Sequence, residues 1–285
     1  LADAVCARPI ARLCFEGPEE ALRRTDVAQP ALVAVEVAAL AALAELVGLG
    51  DDPTAALVPL GARWTAGHSL GEYAAAVAAG ALSPEEGLRL AAERGRLMAA
   101  APAGAMVAVL GLDAESLRPI CAAVDGLVVI ANDNAPGQVV LSGEPEAVRR
   151  AGEAAQAAGA RRVIALNVGG AFHSPLMAEA ARVFAGSLEV VALREPRIPI
   201  VGNVSARPLE SAAALRAELA EQIASPVRWR EGLEWLAAAG AGRLVECGPG
   251  SVLSAVARRA VPALAARGLG SWDEVRAFAA ELGGA

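Results

Sequence analysis

Residues 64–73 read Trp64-Thr-Ala-Gly-His-Ser-Leu-Gly-Glu-Tyr73. The centre of this stretch, from Gly67 to Gly71, has the form G-x-S-x-G. In this pattern a strand ends, the chain turns sharply on the serine, and a helix begins. Glycines flank the serine because the turn leaves no room for β-carbons there. Residues 61–66 can form the short strand, and the alanine-rich residues 70–81 are typical of the helix. The pattern predicts that Ser69 is a nucleophile; a chance turn of the same composition is the alternative.

The composition is that of a folded globular chain. Of the 285 residues, 55% are hydrophobic and only 20% are charged, which argues against disorder and allows one large domain with a small insert. The net charge of −7 argues against nucleic acid as a partner. All the basic residues are arginines, so an acidic partner would have to meet a local arginine patch.

Histidine and cysteine usage excludes a His-rich metal site, and we expect no bound metal. The chain has only two histidines, His68 and His173. Its four cysteines show no C-x-x-C or Cys/His ligand spacing, which is typical of free thiols in a reducing compartment. They are Cys6, Cys14, Cys121 and Cys247.

Residues 31–49 are apolar enough to raise the question of a membrane helix. Glu36 and Glu45 interrupt them, and alanine is a weak membrane residue, so the pattern favours a buried core helix. No signal-peptide pattern opens the sequence. We therefore expect a soluble, cytoplasmic protein that does not bind a membrane.

The order of predicted elements changes at residue 104. Before it the pattern predicts helices at 18–24, 31–47 and 84–100, with 25–30 as a loop and Ser83 capping the third helix. Residues 104–168 are predicted to run β-α-β-β-α-β, the ferredoxin-like split unit. Afterwards we expect a helix to about residue 188, a strand at 197–204, helices at 212–223 and 227–239, a strand at 243–246 and a final helical region.

A nucleophilic serine needs a base, and the two histidines leave a short choice. His68 adjoins Ser69, and adjacent side chains on the turn point in different directions. His173 lies in a glycine-rich loop ahead of Ser174-Pro175, which can begin a helix. The alternative is that His173 is a surface or capping residue. No acidic residue stands out as a third member, which would suit a Ser-His pair oriented by a backbone or amide carbonyl.

Two further features carry weaker signals. Arg94 lies on a predicted helix, where an arginine is usually solvated. The loop Gly248-Pro-Gly250 precedes a helix and could cradle a phosphate, but the chain has neither a Walker lysine nor a G-x-G-x-x-G motif.

Six motifs in order resemble those of the malonyl-CoA:acyl-carrier-protein transacylases of fatty-acid synthesis and the related polyketide acyltransferase domains. The resemblance covers essentially the whole chain. The motifs are Gly67-His-Ser-Leu-Gly-Glu72, Glu93-Arg-Gly-Arg-Leu-Met98, Asn132-Asp-Asn-Ala-Pro-Gly-Gln-Val-Val-Leu-Ser-Gly143, Gly170-Ala-Phe-His-Ser-Pro-Leu-Met177, Gln222-Ile-Ala-Ser-Pro-Val-Arg-Trp229 and Glu246-Cys-Gly-Pro-Gly250.

The resemblance implies a role for each matching catalytic position. Ser69 matches the nucleophile that takes malonyl from coenzyme A and passes it to the phosphopantetheine thiol of the carrier protein. His173 matches the general base, and Gln222 matches the residue whose backbone carbonyl holds the histidine ring. The backbone N–H of Leu70 matches one oxyanion donor.

The resemblance also implies a binding pocket. Arg94 matches the arginine that pairs with the free carboxylate of malonyl, where a planar guanidinium suits a carboxylate better than lysine. Asn134 matches an asparagine lining the same pocket. Phe172, before the histidine, and the leucine after the serine resemble malonyl-selective rather than methylmalonyl-selective members.

The chain departs from the family's pattern at its start. The family begins with a strand and a Gly-Gln-Gly loop whose glutamine supplies the other oxyanion N–H, whereas the match here begins around Arg12. We expect either a truncated chain or an impaired homologue, because loss of one oxyanion donor lowers the rate by about 100- to 1000-fold.

The resulting hypothesis is an α/β fold. A hydrolase-like large domain with a parallel sheet spans 1–103 and 169–285, and a ferredoxin-like small domain spans 104–168. The expected activity is ping-pong malonyl transfer by a monomer, with malonyl-CoA and acyl carrier protein as partners and no metal or other cofactor. The alternatives are a discrete polyketide acyltransferase, an esterase-type serine hydrolase, and an inactive scaffold that docks a carrier protein.

Overall fold

The computed structural model describes residues 1–283, whose strands form three sheets. The first has the order β1-β6-β7, the second β3-β4-β2-β5 and the third β8-β9. The strands are β1 (Thr65–Ala66), β2 (Ala105–Leu110), β3 (Val128–Ala135), β4 (Gln138–Gly143), β5 (Arg162–Ala165), β6 (Ile200–Val201), β7 (Pro208–Leu209), β8 (Arg243–Cys247) and β9 (Ala265–Leu269).

Helices surround these sheets, so the fold is mixed α/β. They are α1 (Ala2–Cys6), α2 (Ile10–Glu16), α3 (Glu19–Arg23), α4 (Thr25–Leu46), α5 (Leu57–Leu60), α6 (Gly71–Ala78), α7 (Pro84–Ala100), α8 (Ala114–Ala123), α9 (Pro145–Ala157), α10 (Ala178–Glu189), α11 (Ala212–Gln222), α12 (Trp229–Ala238), α13 (Val252–Ala260) and α14 (Trp272–Gly283). Short 3₁₀ helices span Pro53–Ala56 and Pro175–Met177.

Helix α4 contradicts the expected loop at residues 25–30, because it begins at Thr25. Pro30 lies inside the helix and has no N–H to donate to the carbonyl of Asp26. Arg8 Nη1 donates to that carbonyl instead, at 3.3 Å. A contact from outside the segment therefore satisfies the group that the proline leaves, and the helix extends through it.

Helix α4 is long and apolar enough to cross a membrane by length and composition, yet half of its most apolar window is buried within the protein. Val33, Leu40 and Leu43 lie in the core. Gly95 of α7 allows the two helices to approach closely, because a β-carbon there would lie 2.8 Å from the carbonyl oxygen of Thr25. These contacts are those of a core helix.

The four-stranded sheet follows the element order that the sequence predicts, with α8 after β2 and α9 after β4. All its neighbouring strands are antiparallel. Helices α8 and α9 bury Leu117 and Val148 against Val109 and Leu141 of the sheet. In the sheet, β2 therefore lies between β4 and β5, although β2 comes first in the chain.

The remaining strands are shorter or more numerous than predicted. The expected strand at 197–204 is wrong in length, since only Ile200–Val201 pairs, in parallel with β1. Pro199 has no N–H to offer a ladder. The final region is not wholly helical, because Ala265–Leu269 forms a strand parallel to β8.

A cavity of about 460 Å³ lies between β1 and β8. Each strand pairs on its other side, β1 with β6 and β8 with β9. Apolar side chains such as Leu40 and Leu244 line the cavity, together with the carboxyl group of Glu36. One oxygen of that buried carboxyl, Oε2, has no hydrogen-bond partner in the described part of the chain.

Candidate active site

Ser69 occupies the sharp turn between β1 and α6, and its φ of +49° lies in the left-handed region. Such a conformation is unfavourable for a residue with a side chain, by about 1–3 kcal/mol. Gly67 allows the turn to close, because a β-carbon there would lie 2.0 Å from the carbonyl group of Gly71. The predicted elbow is therefore present, with the serine at its apex.

His173 lies against Ser69, with Nε2 2.7 Å from the serine Oγ. Its Nδ1 lies 3.0 Å from the carbonyl oxygen of Gln222 and 3.1 Å from that of Ser225. Carbonyl oxygens only accept, so Nδ1 carries the proton and Nε2 is left to accept from the serine hydroxyl. Like Ser69, His173 has a positive φ, at +57°.

The environment of His173 keeps its ring neutral. Burial, and then the positive charge of Arg94, lower the pKa of His173 to about 3. The hydrogen bonds of the ring go to Ser69 and to two backbone carbonyls, with no carboxylate among its partners in residues 1–283. The arrangement is a Ser-His pair oriented by backbone, and it can pass the serine proton to a neutral nitrogen.

Arg94 is 1% exposed, which rules out the solvated alternative for this helix arginine. Its Nη2 donates to Ser69 Oγ and to Gln222 Oε1, each at 2.9 Å, and Nη1 donates to Gln29 Oε1 at 2.7 Å. Its Nε is buried and has no hydrogen-bond partner among residues 1–283. Within the described residues no carboxylate forms a salt bridge with this guanidinium, so a buried positive charge without an ion-pair partner lies beside the serine hydroxyl.

His68 and Asn134 lie on the other side of the elbow. His68 Nε2 is 2.8 Å from Asn134 Oδ1, and the ring packs edge-on against Trp229. Burial lowers the pKa of His68 as well. The His68 ring nitrogen Nε2 contacts Asn134 and Asn132, whereas the Ser69 hydroxyl contacts His173 and Arg94. Asn134 contacts this histidine rather than Ser69 or Arg94.

Phe172 and Leu70 lie at the margins of the site. The Phe172 ring covers Gly170, where a β-carbon would lie 2.6 Å from the ring. The ring also lines a cleft of about 670 Å³ with Met98 and Val168. The Leu70 N–H donates no hydrogen bond within residues 1–283 and begins the turn into α6. An unpaired N–H directly after the nucleophile is suited to receive a developing oxyanion.

Three polar residues that sequence reasoning missed complete the site. Asn203 Oδ1 accepts from the Ser69 N–H at 2.6 Å, Glu72 contacts the Gln222 side chain, and Gln29 holds Arg94. Glu72 was available as a signal, since it follows the elbow directly. Asn203 and Gln29 lie in segments read as a strand end and a loop, and nothing in the sequence links them to Ser69.

No group of three or more His, Cys, Asp or Glu side chains in the described part of the chain is placed to hold a metal ion.

The chain matches a family model described as an acyl transferase domain over residues 9–274. It is 40% identical to the malonyl CoA-acyl carrier protein transacylase of Bacillus subtilis over 264 residues, covering 90% of this chain and 80% of that protein. It is 41% identical to the polyketide biosynthesis protein ThaF of Burkholderia thailandensis over 263 residues, which is 92% of this chain but 22% of that much longer protein.

A solved structure of similar fold is a type II PKS acyl-carrier protein in complex with its malonyl-transacylase. It aligns with a TM-score of 0.90 and 38% identity, covering 98% of this chain and 89% of that one. The family match over residues 9–274 includes the strands of all three sheets and the Ser69–His173–Arg94 site. The chain therefore belongs to the acyl transferase domain family.

Proposed function

We propose that this chain transfers the malonyl group of malonyl-CoA to the phosphopantetheine thiol of an acyl carrier protein through a malonyl ester of Ser69. The observation that carries the proposal is Arg94, a buried arginine without a carboxylate partner whose Nη2 lies 2.9 Å from Ser69 Oγ. A thioester that brings its own carboxylate would supply the missing negative charge beside the nucleophile.

In the first half-reaction, His173 Nε2 takes the proton of Ser69 as Oγ attacks the thioester carbonyl. The Leu70 N–H donates to the resulting oxyanion. The carbon–sulfur bond then breaks, and the coenzyme A thiolate takes the proton from His173. Because burial and Arg94 lower the pKa of His173, the ring is neutral at physiological pH before the serine proton arrives.

In the second half-reaction the carrier thiol replaces coenzyme A. His173 removes its proton, the thiolate attacks the malonyl ester, and Ser69 leaves and is reprotonated by His173. The two carbonyl acceptors on Nδ1 stabilise the imidazolium in both directions. A neutral pair without an acid suits reversible transfer between two thioesters of similar energy.

Arg94 selects the acyl group in this proposal. Its planar guanidinium can form two parallel hydrogen bonds to a carboxylate, and burial strengthens that pairing relative to water. Gln29 and Gln222 hold the guanidinium in place. Asn134 contacts His68, and we propose that both side chains line the acyl pocket. Phe172 would limit the space that is available for a methyl branch on the acyl group.

The finer architecture is also a proposal. We assign residues 104–168 to a ferredoxin-like small domain and residues 1–103 and 169–285 to a hydrolase-like large domain. The strand order β3-β4-β2-β5 with α8 and α9 supports the first assignment, and the strand–serine–helix turn supports the second. We further propose a soluble, cytoplasmic monomer that needs no metal or cofactor besides its coenzyme A thioester substrate.

The similarity to ThaF and to the carrier complex favours a second candidate, a discrete acyltransferase of a polyketide synthase. It would use the same residues and chemistry, and only the carrier protein would differ. An esterase-type hydrolase would use Ser69 and His173 but has no need for Arg94.

Intact-mass analysis after brief incubation with malonyl-CoA tests the proposal. We expect a malonyl adduct on the parent protein, no adduct on Ser69→Ala, and loss of the adduct when a phosphopantetheinylated carrier protein is added. Steady release of coenzyme A without an adduct would instead identify a hydrolase. No adduct and no release would contradict the proposal for this chain.

A further inference from the structure

One buried side chain, that of Asn203, holds the backbone on both sides of Ser69. Its Oδ1 accepts from the Ser69 N–H at 2.6 Å, and its Nδ2 donates to the carbonyl oxygen of Gly67 at 2.7 Å. Asn203 is 1% exposed and follows β6, the strand that pairs with β1. The amide thus bridges the two ends of the turn that carries the nucleophile.

A second buried residue, Glu72, holds the backbone of Asn203 in place. Glu72 Oε1 accepts from the backbone N–H of Asn203 at 3.0 Å, and its Oε2 accepts from Nε2 of Gln222. The same Nε2 donates to the carbonyl oxygen of Ser69 at 2.9 Å. Three backbone groups of the turn are therefore held by the side chains of Asn203 and Gln222. The Glu72 carboxyl group in turn binds the backbone N–H of Asn203 and the side-chain amide of Gln222.

The free-energy cost of burying the Glu72 carboxyl group indicates a role beyond packing. Glu72 is fully buried, and burying a carboxyl group is unfavourable unless its hydrogen bonds compensate. Burial, and then the nearby Glu218, raise the pKa of Glu72. An apolar side chain could fill the same space at a lower free-energy cost. It could not accept hydrogen bonds from the Asn203 backbone N–H and the Gln222 side-chain amide.

We propose that Asn203 and Glu72 are positioning residues, which hold Ser69 in its left-handed conformation and so fix its Oγ between His173 Nε2 and Arg94 Nη2. Neither residue contacts the reacting atoms. Both act through the backbone of the elbow, so their loss would leave the Ser-His pair present but displaced. A displacement of about 1 Å can lower a rate by about 100-fold. The inference rests on the proposed function only in taking Ser69 as the nucleophile.

Rapid-quench intact-mass measurements separate positioning from folding. The rate constant of malonyl-Ser69 formation reports the geometry of each folded molecule, whereas the final amplitude reports the folded fraction. The variants are Asn203→Ala and the near-isosteric Glu72→Gln. The control is Val148→Ala, which removes buried methyl groups from α9 in the separate core of the four-stranded sheet. Melting temperatures are measured for all of them.

A second arm uses a fluorophosphonate in place of malonyl-CoA. Ser69 Oγ attacks phosphorus, the phosphorus–fluorine bond breaks, fluoride leaves with the bonding electron pair, and His173 takes the serine proton. This arm is therefore independent of the thioester substrate. If the parent protein reacts with the fluorophosphonate but not with malonyl-CoA, the proposed function fails while this arm still decides the positioning inference.

We expect Asn203→Ala to react about 100-fold more slowly, and Glu72→Gln about 10-fold more slowly, in both arms at near-normal amplitude. Val148→Ala should react at the parent rate even if it melts at a lower temperature. Variant rate constants within threefold of the parent, or a loss confined to the amplitude, would overturn the inference.

Discussion

Arg94 Nη2 lies 2.9 Å from Oγ of Ser69, the proposed nucleophile, and the Arg94 side chain is almost wholly shielded from solvent. The guanidinium also lowers the pKa of the neighbouring His173, second only to burial. In the proposed mechanism one buried charge therefore acts on both the acyl group and the base.

The low pKa of His173 predicts that malonylation of Ser69 changes little with pH. A histidine of ordinary pKa near 6.5 would be mostly protonated at pH 5, and the rate would fall about 30-fold from its value at pH 8. With a pKa of about 3, His173 stays unprotonated throughout this range and becomes protonated only as the pH falls toward 3. We expect rate constants within threefold of one another from pH 5 to pH 8 in rapid-quench mass measurements. A tenfold fall by pH 5 would contradict this assignment.

Because of the Glu36 carboxyl group, we expect the stability of the folded protein to depend on pH independently of catalysis. Burial, and then the charge of Glu246, raise the pKa of Glu36 from its ordinary value of 4.5 to about 8. The folded protein keeps a proton that the unfolded chain releases, so stability is greatest below pH 4.5 and falls as the pH rises to about 8.

Glu36→Gln removes this titration and should raise the melting temperature by several degrees at pH 8 but not at pH 5. The matched control is Glu45→Gln, at an exposed position on the same helix, which should change neither value. Scanning calorimetry at the two pH values measures both variants. An equal effect of Glu36→Gln at pH 5 and pH 8 would speak against the raised pKa.

The helix that carries Arg94 begins with a capping box. Ser83 Oγ accepts from the N–H of Glu86, and the Glu86 carboxylate accepts from the N–H of Ser83 at 2.7 Å. Ser83→Ala should lower the free energy of unfolding by about 1 kcal/mol, as other N-cap losses do. Ser83→Thr keeps the acceptor and should lose less than half of that. Chemical denaturation measures both, and equal losses would mean that the hydroxyl is not the stabilising group.

Local pattern was enough to predict the elbow, the cap at Ser83 and the small antiparallel sheet, because each depends on residues close together in the chain. The pairing of His173 with Ser69 was also within reach, since the chain offers only two histidines. Arg94 was not. Burial of a helix arginine depends on Gln29 and Gln222, which approach it from distant elements.

The remaining misses have the same physical origin. Helix α4 begins at Thr25 despite Pro30 because Arg8 satisfies the carbonyl that the proline leaves. Strand β6 is only two residues long, and the importance of Asn203 after it appears once β6 lies beside β1. Contacts between distant segments decided each of these features, and no local pattern contains them.

We propose that Arg94 selects a carboxylate-bearing acyl group, and the malonyl-to-acetyl preference of Arg94→Ala tests this proposal. The measurement is the second-order rate constant of Ser69 acylation by malonyl-CoA and by acetyl-CoA, for the parent, Arg94→Ala and Arg94→Lys. Loss of a buried charge pair predicts that Arg94→Ala loses about 100- to 1000-fold with malonyl-CoA and less than tenfold with acetyl-CoA. Arg94→Lys should recover only a small part, since an ammonium group cannot form the paired contact. An equal loss with both thioesters would contradict the account, because Arg94 would then serve only to hold Ser69.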